Sequence, residues 1–180
     1  MLEIVLPTIE SWDEQKQEFV YSKEQKLQLE HSLVSLRKWE SKWCKPFLGK
    51  DEKTQEETID YIRCMTITQN VKPETYNRLT KKHIDQIVEY IGAPMTATTF
   101  SKSNDRPSRE IVTAELIYYW MIALNIPIEE CQKWHLNTLL TLIRVCNIKN
   151  TPPKKRSKRD IISQNAALNA ARRQQTNSKG

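Results

Sequence analysis

The chain has 180 residues, 28% of them charged and 38% apolar, with 28 Lys and Arg against 22 Asp and Glu, a formal net charge of +6. That length suits one ordinary domain that buries a core without disulfide staples. Only three glycines are present, Gly49, Gly92 and Gly180. P-loop and standard Rossmann phosphate sites need clustered glycines, so both are excluded. The longest uncharged stretch, residues 116–128, is too short to cross a bilayer. The N-terminal residues carry no basic, then apolar, secretory pattern, so a cytoplasmic protein without membrane association is expected.

In chain order, residues 2–6, 18–21 and 26–30 read as short strands, the last with the alternation of a half-buried one. Ser32 is placed to cap a helix whose stripe is Leu33, Leu36, Trp39 or Glu40, and Trp43, ended by Pro46. Thr54-Gln-Glu-Glu57 is a capping-box pattern ahead of Ile59, Ile62 and Met65. Pro73 opens a helical turn. Thr80 caps a helix over 81–92 carrying Ile84, Ile87, Val88 and Ile91, with Gly92 expected just past its end. Residues 96–100 and 109–112 flank a polar stretch and suggest a β-hairpin. Thr113 starts a helix to about residue 125 that is apolar nearly all round, the pattern of a helix in the middle of a domain. Pro127 opens a short helix through Trp134, and a last body helix carries Leu136, Leu139, Leu140 and Ile143. The expected fold is α+β and predominantly helical. A small N-terminal sheet and five or six helices surround one core built from 114–146.

The charge is uneven along the chain. Residues 1–149 hold 20 cations and 21 acids, whereas residues 150–180 hold eight cations and one acid, Asp160. Pro152 and Pro153 mark the boundary, because proline lacks an amide donor and disfavours helix before it. The expected organisation is a body over 1–150 and a basic, mobile or conditionally helical arm over 151–180. In the arm, Ser157 is placed as an N-cap, with a thin stripe of Ile161, Leu168 and Ala171.

Several groupings are candidates for chemistry. Cys131 and His135 are four apart, a spacing that suits two zinc ligands or a Cys-His nucleophile pair, but a packed thiol beside a histidine explains them more simply. Glu56, Glu57 and Asp60 share one helical turn, where capping and helix-dipole compensation account for them. Asp85 near His83 reads as a solvated helix face. The four cysteines form no C-x-x-C pair and read as reduced, packed thiols. No catalytic, metal or cofactor site is assigned. Trp12 falls in an acidic loop. Trp39 and Trp43, followed by Phe47, are more aromatic surface than one polar helix buries and form a candidate partner-facing patch. Lys154, Lys155, Arg156, Lys158 and Arg159 form a second candidate contact, for an acidic protein surface or for nucleic acid.

Four segments resemble a known family. They are Ser35-Leu-Arg-Lys-Trp-Glu-Ser-Lys-Trp-Cys-Lys-Pro-Phe47, Ala93-Pro-Met-Thr-Ala-Thr-Thr-Phe100, Ile117-Tyr-Tyr-Trp-Met-Ile-Ala-Leu124 and Trp134-His-Leu-Asn-Thr-Leu-Leu-Thr-Leu-Ile-Arg144. They are similar to tail assembly chaperones of long-tailed bacteriophages, encoded between the major tail protein and the tape measure protein. The resemblance spans about residues 27–173. It implies a non-enzymatic protein of the host cytoplasm that coats the helical tape measure protein and helps recruit tail-tube subunits. Trp39, Trp43 and Phe47 would make the body contact, and the basic cluster would recruit a second partner such as the major tail protein or another copy. Two other classes fit the same residues: a structural virion component, and a nucleic-acid-binding regulator acting through the arm.

Overall fold

The computed structural model describes residues 1–13, 17–100, 110–152 and 158–176. Four strands open the chain: β1 (Leu2–Leu6), β2 (Ile9–Asp13), β3 (Glu18–Ser22) and β4 (Gln25–Leu29). β1 pairs antiparallel with β4, and β2 with β3. The two ladders share one register, with Leu6 opposite Gln25 and Ile9 opposite Ser22, so they are two stretches of a single interrupted hairpin. The second strand is unexpected, and it takes the backbone of Trp12 into register with Phe19 rather than into a loop.

The interruption has a chemical cause. Pro7 has no amide hydrogen to continue the ladder. The Arg78 guanidinium fills the break from a 3₁₀ turn at Pro73–Arg78, donating to the carbonyls of Leu6, Pro7 and Lys23. Pairing therefore stops for two residues without abandoning those carbonyls. Beyond the break, Phe19 and Tyr21 are exposed. Before it, Ile4, Leu6, Leu27 and Leu29 alternate into the core.

Six helices complete the body: α1 (Leu33–Trp43), α2 (Gln55–Met65), α3 (Lys81–Gly92), α4 (Ala114–Ala123), α5 (Ile128–Cys131) and α6 (Leu136–Asn150). The four capping residues read from the sequence of the body all serve. Ser32, Thr54, Thr80 and Thr113 each accept a hydrogen bond from the backbone N–H three residues on. Three of these caps are reciprocal, with Ser35, Glu57 and His83 returning the bond. Gly92 departs from expectation. It is the last helical residue, and no glycine among the described residues has a positive φ. Left-handed termination falls instead to Cys44 (φ 52°), whose N–H bonds to the Glu40 carbonyl, and to Asn125 (φ 53°). At Asn125 the Ile126 N–H reaches back to Met121 O and the Asn125 N–H to Ile122 O, a Schellman closure of α4.

The anticipated mid-chain hairpin is not seen in its described flanks, which carry no strand. Its turn, 101–109, lies outside the described residues. Residues 93–100 instead run beside α6: Asn137 Nδ2 donates to the carbonyls of Ile91 and Ala93, Thr138 to that of Met95, and Arg144 stacks over Phe100. Side chains of α6 thus satisfy the carbonyls at the end of α3 and in the segment that follows it.

The fold is α+β and mainly helical. The buried residues form two clusters that share α1. One joins β1 and β4 to α2 and α3 around Trp39, Tyr61, Ile62, Met65 and Ile87. The other is the core expected from 114–146, in which Leu33 and Leu36 meet Ile117, Met121, Leu136, Leu139 and Ile143. Burying these clusters supplies the main driving force for folding. The chain divides into two units, Met1–Asn147 and Ile148–Gly180. In the second, α7 (Lys158–Thr176) is helical, and every side chain described in it is exposed.

Candidate partner-binding surface

Trp39 is buried to 1% exposure, with its indole N–H donated to the Glu57 carbonyl at 2.9 Å. It therefore cannot be the surface contact expected of it: α2 packs on the face of α1 from which it projects. Trp43 is half-buried, and its indole N–H is held by Asp60 Oδ2 at 2.9 Å. Phe47 is half-buried too, stacked on Tyr61 with ring centroids 3.8 Å apart and edge-on to Trp39 at 5.1 Å. The three aromatics do come together, but as an interior cluster closed by Tyr61. The sequence could not show that α2 supplies a fourth ring and two carboxylates to receive them.

Those carboxylates do more than cap. Glu57 accepts from Thr54 N and from Lys45 Nζ, and these bonds hold its carboxyl below the usual range, led by Lys45. Asp60 receives Lys42 Nζ at 2.5 Å as well as Trp43. Together they tie α2 to α1. Glu40 on α1 plays the same part for the second cluster. Its Oε1 accepts Phe47 N at 2.8 Å and its Oε2 accepts Ala114 N at 2.7 Å, so a buried carboxyl caps the start of α4. Burial raises its pKa despite those two bonds.

Cys131 is buried, and the helix that would align it with His135 breaks between them: α5 ends at Cys131 and α6 begins at Leu136. His135 belongs to a different constellation. Its Nε2 lies 3.1 Å from the Tyr90 carbonyl, and its ring meets those of Tyr90 and His31 at 4.9 and 5.2 Å. His31 Nδ1 in turn lies 2.6 Å from the Tyr61 hydroxyl. Tyr90 donates to Glu30, whose other oxygen pairs with the Met1 ammonium. Burial, then the neighbouring His135, lower the His31 pKa to about 4, and burial lowers that of His135. No described group of His, Cys, Asp and Glu has a metal-holding arrangement. All four cysteines are free, and Cys44 is exposed rather than packed. His83 serves the Thr80 cap, while Asp85 is exposed as expected.

The unexpected surface is on α4. Ala114, Ile117 and Met121 face the core, but Tyr119 and Ile122 are each 63% exposed on the opposite side. Ala123 is exposed beside them, with Leu116 and Trp120 half-buried along one shoulder and Tyr118 along the other. Tyr118 donates to Gln132 at 3.0 Å, which ties α4 to the turn carrying the exposed Trp134. A helix apolar all round has no periodicity from which to read a buried face. The only sequence hint was the pair of tyrosines, rings with one polar end suited to a wet boundary.

In the basic arm, Lys154, Lys155 and Arg156 lie outside the described residues, as does the Ser157 cap. Lys158 begins α7, and Arg159 is exposed on it. Leu168 and Ala171 of its thin stripe are exposed. Among the described residues no helix is long and apolar enough to cross a membrane. The chain matches no protein-family profile, no curated protein and no solved structure.

Proposed function

We propose that this chain is a non-enzymatic assembly chaperone of long-tailed bacteriophages, acting in the host cytoplasm to bind the helical tape measure protein and help recruit tail-tube subunits. The observation that carries the reading is the outward face of α4, where Tyr119 and Ile122 stand exposed on a helix with no charged residue after Glu115. A rigid helix presenting aromatic and aliphatic side chains suits a partner helix laid along it. The resemblance of residues 27–173 to such chaperones supplies the identity of that partner. The body contact moves from Trp39, Trp43 and Phe47 to α4, since Trp39 is enclosed and the other two are spent on Tyr61 and Asp60.

The test is co-expression with the long helical protein encoded next to it, followed by pull-down in about 0.5 M salt, which screens exposed ionic contacts. Retention of the partner, with solubility that depends on this chain and is lost on Ile122→Glu, is the expected result. A partner neither retained nor made more soluble refutes the reading. Steeply salt-dependent DNA or RNA binding that disappears with residues 151–180 would favour the regulator instead. Presence of the chain in purified particles would favour a virion component.

A further inference from the structure

We propose that the outward face of α4 is built for a helix of one particular chemistry: apolar along one side and flanked by lysine or arginine. This rests on the helix-binding reading above and adds the charge class of the partner. The face carries Tyr119, Ile122 and Ala123 in a stripe about one turn long, on a helix whose backbone hydrogen bonds are satisfied internally, so it has no edge for a strand. What remains to recognise a partner is shape, apolar area and surrounding charge.

The surrounding charge is acidic. Glu115 lies on the same stripe, one turn before Tyr119. At the other end the Schellman turn leads directly into α5, whose first turn bears Glu129 and Glu130. All three carboxylates are exposed, and none makes a salt bridge among the described residues. Lys133 is the one cation between Ala114 and Ile143, while Arg37 sits over the Tyr118 ring on one shoulder.

This rim argues against a second copy as the occupant. Two-fold pairing of the face with itself would gather Glu115, Glu129 and Glu130 from both copies around one apolar contact, with like charges opposed. A partner helix with cations flanking its apolar stripe meets the same rim with opposite charge. Charge complementarity therefore selects the partner while the apolar stripe holds it.

The experiment titrates the full chain with two synthetic helical peptides that share one leucine stripe and differ only in flanking residues, lysine in one and glutamate in the other. Calorimetry at low and moderate salt gives the affinities. The expected result is binding of the lysine peptide at least ~10-fold tighter than the glutamate peptide, with the gap shrinking as salt rises. Ile122→Glu should weaken the lysine peptide at least ~10-fold while leaving the circular dichroism spectrum and melting temperature in place. Tyr119→Ser serves the same purpose should Ile122→Glu fail to fold. Reversing Glu115, Glu129 and Glu130 together to lysine should invert the preference.

Equal affinity for both peptides, still dependent on Ile122, would overturn the charge class while leaving helix binding intact. Binding of neither peptide, or binding indifferent to Ile122→Glu and Tyr119→Ser, would overturn both readings. Self-association in sedimentation that Ile122→Glu abolishes would show a second copy on the face and overturn the proposal.

Discussion

Acid should unfold this protein partly through one imidazole, His31. Its ring is enclosed by Tyr61 from α2 and His135 ahead of α6, with Glu30 beside it in sequence and Tyr90 edge-on to His135. Burial followed by the neighbouring His135 places its pKa at about 4, against roughly 6.5 for an exposed histidine. The folded state therefore resists a proton that the unfolded chain accepts. Stability from this group is complete above about pH 6.5 and is lost as pH falls toward about 4. The difference between the two states corresponds to about 3 kcal/mol in total, with about 2 kcal/mol gone by pH 5. Against a typical unfolding free energy of ~5–15 kcal/mol this is a large share. The perturbation is His31→Gln, which keeps a hydrogen-bonding side chain for Tyr61 and removes the titration. Urea midpoints for both proteins between pH 5 and 7.5 give the answer by difference, because Glu57 and other carboxylates titrate in both. The wild type should lose about 2 kcal/mol relative to the variant over that range, a midpoint shift on the order of 1 M urea. Parallel pH profiles, or a His31 resonance titrating near 6.5 in NMR spectra, would refute the argument.

Three other outcomes follow from the packing. Glu40→Ala should cost about 3 kcal/mol in urea unfolding, because the Phe47 and Ala114 amides both lose their acceptor, whereas Glu40→Gln keeps one oxygen and should cost less. Cys44→Gly should raise the melting temperature by a few degrees, since glycine adopts the left-handed conformation at φ 52° without the roughly 1 kcal/mol strain of a side chain. Trp39→Ala should cost ~3–5 kcal/mol as a buried truncation, while the exposed Trp134→Ala should stay within about 1 kcal/mol by thermal denaturation. Near-equal costs at the two tryptophans would contradict their difference in burial.

The local grammar of this chain was legible because it depends on residues a few positions apart. Ser32, Thr54, Thr80 and Thr113 start helices where they were read, since a side-chain oxygen need only reach the third amide onward. The stripes of α2 and α6 likewise follow from a 3.6-residue period, whereas on α3 Ile87 is buried but Val88, expected in the same stripe, is exposed. Turn chemistry was less legible. Gly92 was expected to close α3 in the left-handed region, but that conformation closes α1 at Cys44 and α4 at Asn125 instead. The second strand escaped because Ile9–Asp13 is largely polar, and its partner rather than its composition makes it β.

Which side chains reach solvent was decided only by the tertiary structure. Trp39 and Trp43 sit on a helix dense in lysine and glutamate, and nothing local shows that α2 brings Tyr61, Glu57 and Asp60 to enclose or bind them. His31 and His135 are 104 residues apart, yet their rings lie 5.2 Å from one another. The converse holds for α4, whose uniform apolarity reads as a buried helix. The core needed only the side bearing Ala114, Ile117 and Met121, and it left Tyr119 and Ile122 outside. Hydrophobic pattern and capping are properties of neighbours along the chain and determine where helices begin and which residues prefer burial. Exposure depends on which other elements arrive, and segments tens of residues away settle that.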